Sequence, residues 1–181
     1  MSDNLGNRIR QKRIEKNLSL KDLAGRIEKT PSFLSQVERG LAEPSITSLR
    51  KIANALEVPI FFFLLNSGEH NPVVRRNERK IMSFPGYQLT FELLSPNLNR
   101  DMEIVQGRLE PGGVTCEEPL AHPGEEATVV LTGKMEIIVG SDVFVLEHGD
   151  CIYYYASIPH KITNIGDEEL VFLSSITPPN F

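Results

Sequence analysis

Apolar residues return every three to four positions over the first third of this chain and every two positions over most of the rest. The longer period marks a helix with one buried face, and the shorter one marks a half-buried strand. Leu20, Leu23, Ala24 and Ile27 stand at i, i+3, i+4 and i+7, while Phe33, Leu34 and Val37 form a second short apolar face. Ser19 precedes the first face with Asp22 three residues on, as in a capping box. Thr30 and Pro31 open the second as a cap and a first-turn proline, and Gly40 closes it. Residues 5–16 predict a further helix that turns Leu5, Ile9 and Arg13 inward. Ser45 to Leu56 predicts one that buries Ile46, Leu49, Ile52, Ala53 and Leu56, and Pro59 to Leu65 a short last one. Residues 1–66 are therefore expected to form an all-α, five-helix domain. The six apolar residues at 60–65 exceed what one small core accepts, so some are expected against the second domain or a partner subunit.

Residues 67–80 are polar, contain Gly68 and Pro72, and read as a linker. From 81 to 181 the alternation predicts strands in YQLTFELL (87–94), MEIVQGRL (102–109), ATVVLTG (127–133), KMEIIVG (134–140), VFVLEHG (143–149), CIYYY (151–155) and LVFLSSI (170–176). No helical pattern intervenes, which predicts an all-β sandwich or small barrel.

Charge separates the two regions further. The chain has 181 residues and a net charge of −5, but residues 1–67 carry 11 basic and 7 acidic side chains, and residues 68–181 carry 8 and 17. A basic first domain suits phosphate contact, and an acidic second one is repelled by it. Arg75, Arg76, Arg79 and Lys80 are the basic cluster of the second region, placed to meet DNA backbone or to pair with acids. No apolar run approaches membrane-spanning length, and the start, MSDNLGNRIRQKR, lacks the apolar stretch of a secretion signal. With two cysteines, Cys116 and Cys151, free thiols in a reducing cytoplasm are expected. Cys151, entering a strand, reads as a small core residue.

The two short helices at 18–40 leave Ser32, Ser35, Gln36 and Arg39 on an open polar face, able to bond base edges or phosphates. The segments LGNRIRQKR, SLKDLA, TPSFLSQVERG, PSITSLRKIANAL and VPIFFFL resemble the phage-repressor-like, xenobiotic-response-element helix-turn-helix family over residues 5–65. That resemblance implies a recognition helix in the major groove of double-stranded operator DNA. It implies DNA contacts by Ser19, Thr30, Pro31, Ser32, Ser35, Gln36 and Arg39, with Pro31, Ser32 and Gln36 facing bases. Arg13 and Glu38 match a family ion pair that ties the first helix to the recognition helix. A glutamine common at the start of the motif's first helix is here Leu20, and Pro31 offers no donor, so base readout rests on Ser32 and Gln36.

Gly112-Gly113 with AHPGEEATVVLTG (121–133), and HGDCIYYYASIPHKITN (148–164), resemble the two motifs of the cupins, small jelly-roll β-barrels. The cupin metal positions fall on Leu120, His122, Glu126 and His160. Leucine has replaced the first ligand; His122, Glu126 and His160 remain as a set for a divalent metal such as zinc, iron or manganese. Replacing an imidazole by an alkyl group also makes the cavity apolar there. Glu118 and Cys116 share the inward parity of Leu120 and His122, and either is a candidate substitute. An effector pocket is expected from Glu118, Leu120, His122, Glu126, Tyr153, Tyr155 and His160. The tyrosines line or fill it. His148 reads as surface, Asp150 as a turn residue and Asn164 as a brace for loop backbone.

Helix-turn-helix followed by cupin is the plan of a bacterial family of transcription factors. The resemblance implies a homodimeric, sequence-specific regulator, more often a repressor than an activator, whose cupin domain senses a small-molecule effector. An enzyme reading stands beside it, because some cupins of this plan resemble metal-dependent epoxidases. Leu120 weighs against it, and the expected protein is not an enzyme. A nucleoid-type module with a vestigial pocket is the third reading.

Overall fold

The computed structural model describes residues 5–64, 71–98 and 100–181. The chain divides into two compact units, Met1–Asn66 and Ser67–Phe181. Residues 67–70 of the expected linker, and Leu65 of the apolar run, lie outside the described residues.

The first unit contains α1 (Leu5–Glu15), α2 (Leu20–Arg26), α3 (Pro31–Glu38) and α4 (Ile46–Ala55). The expected fifth helix is instead a single 3-10 turn, Ile60–Phe63. Four residues following Pro59 close only i→i+3 bonds there, such as Phe62 N–H to the Pro59 carbonyl at 3.0 Å. Ile60, Phe61 and Phe63 are buried in this unit's own core, whereas Phe62 is exposed beneath the Lys12 ammonium, 5.1 Å from its ring centroid. Ile9, Leu23, Ala24, Ile27, Leu34, Val37, Ile46, Leu49, Ile52 and Leu56 complete the core. α1 lies close on α3: a Cβ at Gly6 would stand 2.3 Å from the Val37 carbonyl oxygen. Only glycine permits that approach.

The second unit is β-rich. β1 (Lys80–Phe84), β2 (Leu89–Leu93), β3 (Glu103–Leu109), β9 (Leu170–Thr177), β4 (Glu125–Thr132) and β7 (Cys151–Tyr155) form one antiparallel sheet in that order. β6 (Asp142–Leu146), β5 (Met135–Val139) and β8 (His160–Asn164) form a second. The expected closed barrel is thus two open sheets among the described residues. The chain turns over at Gly133, whose φ is +83°, so β5 leaves the sheet of β4 and starts the other. β1 begins at Lys80, inside the segment read as linker, and β8 comes from the second cupin-like motif.

Alternation sets the inner faces. Leu89, Phe91 and Leu93 on β2, Glu126, Thr128 and Val130 on β4, and Phe172, Ser174 and Ile176 on β9 point into the unit. Met135, Ile137, Ile162 and Asn164 face inward from the second sheet. On the outer face, Glu92 accepts hydrogen bonds from Arg79 and Arg108, both at 2.9 Å, while Arg75 and Arg76 are exposed. Asn164 donates to the Leu109 and Glu168 carbonyls and accepts from Gly166 N–H, bracing loop backbone. His148 is exposed, and Asp150 accepts Glu147 N–H across its turn. Neither Cys116 nor Cys151 forms a disulfide among the described residues, but Cys151 is exposed rather than in the core, because its parity on β7 is opposite to that of the inward Tyr154.

Candidate functional site

Two sets of residues carry chemistry, one in each unit. In the helical unit Thr30 Oγ1 accepts Phe33 N–H at 3.1 Å and starts α3, with Pro31 in its first turn. Leu34 and Val37 bury one face, which leaves Pro31, Ser32, Gln36 and Arg39 exposed on the other and Ser35 half-buried between them. Ser32 and Gln36 lie one turn apart, as do Ser35 and Arg39, so one helix face presents hydroxyl, amide and guanidinium groups together. Ser19 and Asp22 form a reciprocal capping box on α2 at 3.1 and 2.9 Å. The Asp22 carboxylate accepts hydrogen bonds from Ser19, which hold it below its usual range. The Thr30 hydroxyl accepts at its helix start and keeps an O–H proton to donate.

Behind this face Arg13 and Glu38 form a two-pronged pair, Nε–Oε1 at 2.6 Å and Nη2–Oε2 at 2.9 Å, with Nη1 bonded to the Leu18 carbonyl at 2.8 Å. Both residues are buried. The hydrogen bond to Glu38 outweighs burial and raises the Arg13 pKa. Each oxygen of the carboxylate meets an N–H, the arrangement that makes a buried ion pair tolerable. The pair clamps α1 to the C-terminal end of α3.

In the β unit His122, Glu126 and His160 converge, their ligating atoms all within 4.8 Å of one another. Glu126 lies on β4, His160 begins β8, and His122 is fixed by its N–H to the Ala156 carbonyl at 2.9 Å. His122 Nε2 stands 3.5 Å and His160 Nε2 3.8 Å from Glu126 Oε2. The other ring nitrogens face backbone carbonyls: His122 Nδ1 that of Pro123 at 3.2 Å, His160 Nδ1 that of Ile158 at 2.9 Å. Protons on the two Nδ1 atoms satisfy those carbonyls and turn each Nε2 lone pair toward the carboxylate. His122 Nε2 and Glu126 Oε2 are buried without a hydrogen-bond partner. Glu126 Oε1 accepts from Thr128 Oγ1 at 3.2 Å, and Thr128 in turn meets Ser174 Oγ at 2.8 Å. Burial pushes the Glu126 carboxyl up. The neighbouring His122 and His160 imidazoles and the Ser174 hydroxyl outweigh it and hold the group below the usual range.

Acceptors that converge in a dry interior call for a cation between them. Ligands about 2.0–2.1 Å from a tetrahedral ion stand roughly 3.3–3.4 Å apart, and two of the three separations here come within half an ångström of that. Two imidazoles and one carboxylate fit a divalent ion such as zinc, iron or manganese. The fit is three-sided: His122, Glu126 and His160 each offer one ligand atom, and the alkyl side chain of Leu120 has none to add.

The expected pocket residues divide. Leu120 is beside His160, the two exchanging backbone hydrogen bonds at 2.9 and 3.0 Å. Glu118 is exposed and outside the cluster. Residues 115–122 are not one strand, so the parity argument from His122 back to Glu118 fails there. Cys116 is buried, with its thiol on the His160 carbonyl at 3.8 Å. Tyr153 and Tyr155 point outward, 65% and 63% exposed. The inward tyrosine is Tyr154, paired in register with Glu126 and tilted against the His160 ring at 5.0 Å. Sequence reading also missed Thr128, Ser174 and Phe181. The inward parity of Glu126 on a single strand was a usable signal for Thr128; Phe181 had none.

A helix-turn-helix unit with a clamped polar helix, followed by a cupin domain with a His–Glu–His cluster, defines a DNA-binding regulator of two-domain plan. Residues 9–63 match the helix-turn-helix family and residues 106–176 the cupin domain family. The HTH-type transcriptional regulators PuuR and SutR of Escherichia coli K12 are each 25% identical to this chain, over 178 and 180 residues. Each comparison covers 97% of this chain and 96% or 95% of the relative. An HTH_3-family transcriptional regulator from Vibrio cholerae superposes with a TM-score of 0.77 at 26% identity, over 97% of this chain and 96% of its own. Hydroxypropylphosphonic acid epoxidase from S. wedmorenis shares the fold at a TM-score of 0.51 and 17% identity, over 95% and 96%. The chain thus joins a helix-turn-helix domain to a C-terminal cupin domain, and the full-length relatives it resembles are transcriptional regulators.

Proposed function

We propose that this regulator binds a two-fold operator as a homodimer in the cytoplasm and that its cupin domain senses a small ligand at His122, Glu126 and His160. The observation that carries the sensing is the buried Glu126 carboxyl facing two imidazoles at 3.5 and 3.8 Å, with His122 Nε2 and Glu126 Oε2 lacking hydrogen-bond partners. A structural cluster is satisfied internally; this one is left for a cation or for a ligand with donor groups. A divalent ion bound there would offer an open coordination position to the donor atom of an effector. The residues of the chain do the rest. Pro123 and Ile158 carbonyls orient the rings, Thr128 and Ser174 hold the carboxylate, and Tyr154 walls the His160 side.

On the DNA side, Ser32 and Gln36 are the base-reading groups and Ser19, Thr30, Ser35 and Arg39 the backbone-positioning ones, with Pro31 in van der Waals contact. The regulator represses by occupying its operator. A ligand changes DNA affinity only by its differential affinity for the two arrangements of the dimer, and the coupling is reciprocal. The cluster does not act as an enzyme centre in this reading. The test is selection of a preferred duplex from a random pool, followed by titration of zinc and of metabolite pools into the complex. Failure to prefer any sequence would sink the reading.

A further inference from the structure

The proposed sensing cluster is closed off from solvent: the side chains of His122, Glu126 and His160 are 1%, 5% and 10% exposed. One of the elements that close it is the segment 178–181, which follows the last strand. Phe181 is buried and sets its ring edge-on to Phe91 at 4.8 Å and to His122 at 6.4 Å, with interplanar angles of 70° and 86°. Its position is fixed by Glu103, a carboxylate with no exposed surface on β3, whose Oε1 accepts the backbone N–H groups of both Asn180 and Phe181 at 2.5 Å. The registers explain the reach. Glu126 of β4 and Glu103 of β3 both pair with Ile176 of β9, so the two acids flank one residue on the inner face of the same sheet. Gly124 admits the start of the segment, since a Cβ there would lie 1.9 Å from the Thr177 carbonyl oxygen.

We infer that residues 178–181 are a strap that occupies the mouth of the His122–Glu126–His160 cluster, with Phe181 as its internal occupant and Glu103 as its clasp. The inference rests on the reading of that cluster as a ligand site. A ligand reaches the triad when the strap lifts, and its binding competes with the seating of Phe181. Two features make the strap the movable wall: it lies outside the ladder of either sheet, and the backbone N–H groups of Asn180 and Phe181 converge on one Glu103 carboxylate oxygen. Tyr154, whose ring meets His160, is locked in β7.

The test reads access to His122 in the full-length protein. Diethyl pyrocarbonate modifies imidazole nitrogen, and mass spectrometry follows His122 against the exposed His148 as internal reference. Phe181→Ala should speed modification of His122 at least tenfold with His148 unchanged, and Glu103→Gln should give a smaller acceleration. An unchanged His122 rate in both variants, each with a cooperative thermal melt, overturns the strap. In the wild-type chain, the limiting rate of His122 modification should match exchange of the Asn180 and Phe181 amide hydrogens. Amides that exchange tenfold faster than His122 becomes reactive overturn it as well, with no variant needed. Zinc titration is scored separately. A triad that takes up no zinc removes the metal from the proposed site while the modification rates still decide the strap, and uptake at equal rates in wild type and Phe181→Ala contradicts the strap alone.

Discussion

Each unit of this protein buries an ionic cluster, and the two are built in opposite ways. Arg13 and Glu38 close on each other, with both carboxylate oxygens taken by guanidinium N–H groups and a third bond spent on the Leu18 carbonyl. Glu126 instead faces two imidazoles whose protons are committed to carbonyls elsewhere, and its Oε2 has no hydrogen-bond donor. The first holds α1 against α3 and keeps the useful polar groups of α3 outside. The second holds its polar groups inside and incomplete. A satisfied buried pair is a brace, and an unsatisfied one is a place for something to bind.

The widest gap between the two should come from removing one partner of each. Arg13→Ala strands Glu38 in the core and should cost about 3–5 kcal/mol of helical-unit stability, read as a lower denaturation midpoint with loss of operator binding. Glu126→Gln should do the reverse. Its amide offers N–H to His122 Nε2, so stability should hold or rise by up to about 1 kcal/mol, while zinc affinity falls on the order of a hundredfold or more, since a ligand is lost where an outer-shell loss alone costs 10–100-fold. Equal destabilisation by the two changes would erase the distinction drawn between them.

The outer face of α3 sharpens it further. Gln36→Ala removes an exposed side chain and should leave the melting temperature unchanged, yet cost about 1–3 kcal/mol of preference for the selected operator over random duplex. An equal loss on every sequence would move Gln36 from base reading to backbone contact. The smallest effect belongs to a third cluster, on the outside of the sheet. Burial pushes Glu92 up, but hydrogen bonds from Arg79 and Arg108 hold it below the usual carboxylate range. A folded value depressed below the unfolded one adds stability above about pH 4.3, lost as pH falls through the folded value. Glu92→Gln should therefore lower the urea midpoint slightly near neutrality, by about 1 kcal/mol or less, and converge with wild type on acidification. A difference that persists at the acid end would show that the network acts through packing rather than charge.

How legible these sites were in the sequence follows the distance over which each is decided. α2, α3 and α4 start at Ser19, Thr30 and Ser45 because hydroxyls there reach N–H groups three residues on, and their buried faces follow from a fixed period. The open face of α3 with Ser32 and Gln36 came with them. The two imidazoles and Glu126 were readable through the cupin motifs, yet their tautomers were not, because Pro123 and Ile158 carbonyls set them.

The sequence by itself determined the helices, their caps, the exposed face of α3, the change from helical to strand period and the charge that separates the two units. Those depend on neighbours within a few residues. Only the tertiary structure decided that Tyr154, not Tyr153 or Tyr155, faces the cluster, because a strand's parity takes its sense from register with Glu126 across β4. It decided that Glu118 is outside, since the chain before His122 is not a strand, and that the last apolar run makes a 3-10 turn rather than a helix. It also brought Phe181 to His122 and Glu103 through the pairing of β9 with β3 and β4, a contact across 59 and 78 residues that no local pattern encodes.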